Sequence, residues 1–345
     1  MTPGSLMRAE IGEQPTVLAA AAQDPAEARE VGHLLRRRAP RFVLLAARGT
    51  SDHAALYAKY LLEIRLGVPA GLASPSTLTV YGARPDLRDV LLVAVSQSGG
   101  SPDLVETALR ARSCGARVLA VTNAPASELA SVDLHVDVKA GAERAVAATK
   151  TYGAELLALW LVVEAWRGGD LQRAQGMAQE AADHLGRSDE VATLAGHLGR
   201  YLDGDRLVCT ARGYSYPTAR EAALKLMETA YLSAHAFSAA DLMHGPIAMI
   251  SRDLPVLAIA PAGAGATALA PVLASLRERG AELAVFGAKS YRAPGELGYT
   301  LREVDDDLSP ITDIVPLQLL ALETALARGL DPDRPRGLAK VTRTW

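Results

Sequence analysis

A chain of 345 residues is too long for one ordinary hydrophobic core, and 49% apolar with 22% charged residues is globular usage, so disorder is excluded and about two domains are expected. The net charge of −3 is spread over interspersed acids and bases with no basic stripe, so nucleic acid is not an expected partner. The two cysteines, Cys114 and Cys209, stand in different halves at no metal or redox spacing, which suggests neither a disulfide framework nor a zinc site.

From the N-terminus, residues 1–14 mix Arg8, Glu10 and Glu13 and lack the apolar stretch of a signal peptide. Residues 41–47 form a compact Val/Leu run, followed by Arg48-Gly49-Thr50-Ser51 and a helical stretch over 53–65. That pattern predicts strand, tight turn, helix. A second buried strand leads into Ser96-Gln97-Ser98-Gly99-Gly100-Ser101, and Gly115 opens a third. The apolar run at 156–163, bounded by Glu155 and Glu164, is far short of the roughly 20 residues of a membrane span, so no membrane partner and a cytoplasmic location are expected.

The second half repeats these landmarks in order. Leu207 to Ala211 precede Arg212-Gly213-Tyr214-Ser215 and a helix through 219–232; Ile259 leads to Ala262-Gly263; Gly280 opens another strand; Leu319-Leu320-Ala321-Leu322 answers Leu156-Leu157-Ala158-Leu159. Any two doubly wound domains share strand-glycine-helix landmarks, but four of them in one order at nearly one offset predict a duplication. The fold class expected is α/β, two tandem doubly wound parallel sheets of flavodoxin-like type.

Ligands of such sheets bind beyond the carboxyl ends of strands, where helix N-termini present free N–H groups. Ser101 suits an N-cap and Pro102 the first helical position. Ser96, Gln97, Ser98 and Ser101 then converge with glycine turns on one helix start, a cradle for a dianion, and Thr50 and Ser51 add hydroxyls from the neighbouring turn. A capping turn alone needs fewer polar groups. The matching turn of the second half, residues 260–265, has glycines but no hydroxyls.

Glu221, Lys225 and Glu228 fall at i, i+4 and i+7, on one helix face; by itself this is a common pattern for a solvated salt-bridge stripe. Beyond it stands His244-Gly245-Pro246, a histidine on a turn fixed by Gly and Pro, suited to acid and base work near neutral pH.

With these motifs in this order, together with Glu10-Ile11-Gly12-Glu13-Gln14-Pro15, Glu221-Ala222-Ala223-Leu224-Lys225-Leu226 and Pro335-Arg336-Gly337-Leu338-Ala339-Lys340, the chain resembles the sugar isomerase (SIS) domain superfamily. Within it the similarity is to the isomerase half of glucosamine-6-phosphate synthase and to glutaminase-free deaminases. The resemblance implies that Thr50, Ser51, Ser96, Gln97, Ser98, Ser101 and Lys225 hold a phosphosugar. It implies that Glu228 moves a proton between C1 and C2, that His244 assists ring opening, and that Lys340 contacts the open-chain sugar or forms a Schiff base with it. It also implies a homodimer with shared active sites. The expected division is residues 1–185 for a first SIS domain with an N-terminal helical arm, 186–330 for a second, and 331–345 for a catalytic tail.

Departures from the family pattern narrow the activity. No cysteine precedes Cys114, so a glutaminase nucleophile is not expected; Gly100-Ser101 stands where synthases carry Glu-Thr, and Ser101-Pro102-Asp103 resembles the deaminases. Ala148 replaces a serine and Met243 a common lysine. The expected activity is glucosamine-6-phosphate deamination to fructose 6-phosphate and ammonia, a reaction that requires no metal or redox cofactor. The alternatives are a fructosamine-phosphate deglycase, a galactosamine-6-phosphate deaminase, or a phosphosugar sensor without catalysis.

Overall fold

The computed structural model describes residues 2–202, 204–252 and 254–340; residues 341–345 of the expected tail lie outside that set. The first half runs α1 (Ser5–Gly12), α2 (Gln14–Gln23), α3 (Ala26–Arg37), β1 (Phe42–Ala46), α4 (Thr50–Leu61), β2 (Ala70–Leu72), α5 (Pro75–Thr79), β3 (Val90–Ser96), α6 (Pro102–Ser113), β4 (Arg117–Thr122), β5 (Leu134–Asp137) and α7 (Lys150–Arg167). After it come α8 (Met177–Leu185), α9 (Ser188–Gly199), β6 (Arg206–Ala211), α10 (Tyr216–Ala230), β7 (Ser233–Ser238), α11 (Ala239–Met243), β8 (Val256–Ala260), α12 (Ala264–Glu278), β9 (Leu283–Gly287), β10 (Leu297–Thr300) and α13 (Pro310–Ala327).

Two five-stranded sheets result, ordered β2-β1-β3-β4-β5 and β10-β9-β8-β6-β7, with every pairing parallel. Counted from β6, the second sheet has the same 2-1-3-4-5 order as the first, which is the flavodoxin-like order with its direction reversal between the first and third strands. The central strands explain why. All of β3 but its first residue is buried, and β8 and β9 are buried throughout, the continuous apolar run required of strands covered on both faces. Leu92, Ala94 and Val118 pack with Leu104 and Ala108 of α6; Val256, Ala258 and Val285 pack with Leu269 and Leu273 of α12. Fully burying each such leucine contributes about 1.5–3 kcal/mol.

The chain divides into two compact units. The first-sheet unit holds Gln14–Arg144, Lys150–Ala178 and the tail from Leu338; the second-sheet unit holds the N-terminus through Glu13, Ala145–Thr149 and Gln179–Gly337. In the first, α3 lies so close on α7 that a Cβ on Gly32 would fall 2.5 Å from the Cβ of Ala165 and 2.7 Å from the backbone N of Trp166. In the second, α1 receives its caps from near the far end of the chain: Gly4 N–H donates to Asp331 at 3.1 Å, and Leu6 and Met7 N–H donate to Asp333 at 2.9 Å each. These acids satisfy donors that a helix start otherwise leaves open. Among the described residues α13 is the one helix long and apolar enough to cross a membrane, and with 83% of it buried it serves as a core helix.

Candidate functional site

In the first-sheet unit the reversal point lies between β1 and β3, and both turns singled out in the sequence leave from there. Gly49 precedes α4 with φ +57, a left-handed conformation that favours glycine, and Thr50 is the first residue of the helix. Gly99 has φ +59, and a Cβ there would come within 2.0 Å of the Ser127 hydroxyl, so the turn after β3 cannot take a larger residue without rebuilding. Ser101 is the N-cap of α6 with Pro102 behind it, and its side chain makes no capping hydrogen bond.

Two serines of this turn accept its backbone N–H groups. Ser96 Oγ accepts the N–H of Gly99 at 3.1 Å and Ser98 Oγ that of Gly100 at 3.3 Å. A hydroxyl that accepts inside a turn keeps its own O–H to donate elsewhere. Gln97 is half-buried beside them, and its carbonyl accepts the Asn123 N–H at 3.3 Å. Ser51 differs: it is buried and donates to Glu155 at 2.8 Å, so its proton is committed to the wall of the cradle.

Two charged features of the same unit were not read from the sequence. Arg48, in the β1 turn, reaches the first turn of α6, with Nε and Nη2 at 2.8 and 2.7 Å from Asp103 Oδ2. Lys340 lies 3.0 Å from Glu143, a buried carboxylate that also accepts the Thr151 N–H at 3.1 Å near the start of α7. Both pairs join residues remote in sequence, 55 and 197 positions apart, so no local pattern announces them.

The second-sheet unit carries Glu221, Lys225, Glu228 and His244. Tyr216 through Ala230 form α10, and the expected single face exists, but it is not a solvated stripe. Glu221 and Lys225 are both fully buried, with Lys225 Nζ 3.4 Å from Glu221 and 2.5 Å from Glu228, whose side chain is 22% exposed. Burial alone would push the Lys225 ammonium down, but the two carboxylates outweigh it and hold it above the usual lysine range. Lys225 therefore stays charged beneath Glu228 and fixes the orientation of the one carboxylate of the three-residue set that reaches the surface. His244 is exposed at the end of α11, on a turn closed by its N–H to Asp241 at 3.1 Å and by Gly245 at φ +120.

The tail of this unit is held rather than frayed. Beyond the Asp331 and Asp333 caps, the Arg336 N–H donates to the Tyr231 hydroxyl at 2.9 Å and its guanidinium stacks 4.0 Å over that ring. Tyr231, at φ +55, is the C-cap of α10, the helix that carries Glu228.

The second sheet has its own reversal point, between β6 and β8, and it is built otherwise. A Cβ on Gly265 would lie 2.6 Å from the Arg212 carbonyl, so the two turns close on each other. At the start of α12 the Ala264 N–H donates to Asp306 at 3.3 Å. Burial, more than the carboxylate's helix-start hydrogen bonds can offset, pushes Asp306 above the usual carboxylate range.

Comparison with known proteins gives a consistent picture. The family model for the SIS domain matches residues 38–165 and 201–328. A glutamine–fructose-6-phosphate aminotransferase (isomerizing) from Methanothermobacter thermautotrophicus is 36% identical over 304 residues, covering 86% of this chain and 51% of that protein. The chain thus spans about half the length of the curated relatives it matches. A solved structure from Silicibacter pomeroyi DSS-3, provisionally assigned as a phosphosugar isomerase, superposes with a TM-score of 0.86 at 33% identity over 94% of this chain and 99% of that one. The C-terminal domain of the glucosamine-fructose-6-phosphate aminotransferase of Francisella tularensis gives a TM-score of 0.81 at 25% identity over 94% and 96%.

Proposed function

The chain belongs to the SIS domain family, and from that premise we propose that it is an enzyme acting on phosphosugars, a deaminase that converts glucosamine 6-phosphate and water to fructose 6-phosphate and ammonia. The observation that carries the catalytic part is the Glu221–Lys225–Glu228 set: a buried ammonium orients a carboxylate that is itself partly open. Proton transfer between adjacent carbons needs one such base, held in place.

In this reading the phosphate sits among Thr50, Ser96, Gln97, Ser98 and Ser101, with Ser51 bracing the wall. His244 gives a proton to the ring oxygen as the sugar opens. Glu228 takes the C2 proton of the open-chain aldehyde and returns it to C1, leaving an imine at C2. Water adds to that imine and ammonia departs, which balances the reaction without a redox step. Lys340 contacts the open-chain sugar, and the tail that carries it excludes water while the intermediate lives. Lys225 acts through Glu228. The Gly100-Ser101-Pro102-Asp103 turn, which differs from the Glu-Thr of synthases, supports deamination over amide transfer, and a homodimer with shared sites accompanies this reading.

The test is amine release, read as ammonia from glucosamine 6-phosphate and galactosamine 6-phosphate and as free lysine from fructoselysine 6-phosphate. Turnover of the first is expected. Turnover confined to either of the others reassigns the substrate, and tight binding without turnover of any of the three replaces the enzyme with a sensor. A chain ending at Arg336 is expected to lose turnover while the Asp331, Asp333 and Arg336 contacts survive the cut; its melting temperature should fall only by the loss of the Lys340–Glu143 pair.

A further inference from the structure

We propose that Arg48 is the cationic ligand of the cradle, a guanidinium fixed by Asp103 at the first turn of α6 that binds the dianion of a phosphorylated ligand; this rests on the reading that the cradle takes phosphate.

The cradle has no charged donor among its serines and glutamine, and Arg48, whose net charge Asp103 offsets, would bring one within short range of a dianion. Hydroxyls and an amide carry no net charge, and a helix N-terminus is worth about half a positive charge, against about −1.5 to −2 on a phosphomonoester near neutral pH. The serine turn alone leaves most of that charge uncompensated.

Arg48 is in the right place and already ordered. It leaves the turn after β1, and its partner Asp103 follows Ser101 by two residues, so the ion pair spans the two turns that meet at the reversal point of the sheet. Asp103 is 4% exposed, whereas the Arg48 side chain is 47% exposed. The anchor is thus in the wall and the cation at the surface of the cradle. Nε and Nη2 face Asp103 Oδ2, and Nη1 donates to the Ala47 carbonyl at 3.2 Å. Among the described residues these contacts use three of the five N–H donors of a guanidinium, and the planar fork can present the remainder to phosphate oxygens without losing its anchor. The side chain is held before any ligand arrives, so little rotamer entropy is lost on binding.

A bridge that only strapped the two turns together would have the same resting geometry, and the experiment separates the two roles. The full-length chain is titrated calorimetrically with inorganic phosphate, which needs no turnover. Arg48→Met is expected to weaken phosphate binding about tenfold or more, and Arg48→Lys about threefold, since lysine keeps the charge and loses the fork. Asp103→Asn breaks the same ion pair but leaves the guanidinium, so a loss below about threefold is expected. Arg112→Met, on the last turn of the same helix and 46% exposed, should change nothing and controls for bulk charge. Equal losses in Arg48→Met and Asp103→Asn make Arg48 a strap and overturn the proposal. Affinity within twofold of the parent in Arg48→Met also overturns it, as does a parent that binds no phosphate. If Arg48→Met does not fold, unchanged affinity in Arg48→Lys is the overturning result. A parent that binds phosphate through Arg48 yet releases no ammonia refutes the deaminase reading and leaves this assignment standing; ammonia release unaffected by Arg48→Met does the reverse.

Discussion

The two reversal points are built on the same strand order and differ in what fills them. In the first-sheet unit the turn after β3 brings serines whose hydroxyls accept backbone N–H groups of the turn, beside a helix start with no side-chain cap. In the second-sheet unit the turn after β8 has alanines and glycines, its backbone closes on the Arg212 carbonyl, and the start of α12 has a carboxylate of the protein's own, Asp306. A helix N-terminus at such a point attracts an anion either way. One copy leaves that position for a ligand, the other answers it internally, and the second copy's polar investment is in α10 instead. On the proposed reading, duplicating the fold has not duplicated the site, and a few side chains at one turn set the two copies apart.

The sharpest test of this division of labour is Glu228→Gln. It should lower turnover by about two to four orders of magnitude while leaving phosphosugar affinity nearly intact, because an isostere keeps shape and loses basicity. Near-native turnover would remove Glu228 from the chemistry, and lost affinity would mean that α10 also binds. Next in size is Ser98→Ala, expected to weaken binding of phosphorylated sugars about tenfold or more, the value of one charge-assisted hydrogen bond. The mirror change in the second unit, Ala262→Ser, should add no binding, since Asp306 and the closed backbone exclude an anion there; a second phosphate equivalent by calorimetry would break the comparison.

The smallest effect concerns Asp306. Its folded-state affinity for a proton is raised, so between the usual carboxylate range and that raised value the folded chain holds more protons than the unfolded one, and stability falls as pH rises. At neutral pH the charged form is a net cost. Asp306→Asn keeps an acceptor for Ala264 and should raise the melting temperature by about 1–3 °C at pH 7, with the gain vanishing below the usual carboxylate range. A lower melting temperature would show that α12 needs the charge itself.

The repeated architecture is legible because its signals are local: apolar runs at β3 and β8, and glycines such as Gly49 and Gly213, each at positive φ where a strand turns into a helix. The edge strands are not. β2 and β10 are short and incompletely buried, so neither alternation nor a long apolar run marks them. Within the site, residue types were readable and their states were not. The spacing of Glu221, Lys225 and Glu228 is in the sequence, but that the lysine is buried depends on what packs over α10. Ser51 looks like its neighbours until Glu155, 104 residues away, claims its proton. Arg48 with Asp103 and Lys340 with Glu143 are tertiary pairs throughout.

The caps on α1 have a consequence for how the chain is made. Leu6 and Met7 await Asp333 about 327 residues downstream, which at roughly 5–20 residues per second is about 15 to 65 s of synthesis. The stretch from Gln14 to Ala178 supplies the first sheet and its helices early, and emerges with a core of its own. The helix α1, though translated before that stretch, belongs to the second-sheet unit and cannot complete its caps until Asp333 is made. A circular permutant that starts near Asp331 and joins the old ends would place α1 and its caps side by side, and should shorten the slowest step of assembly without altering either sheet.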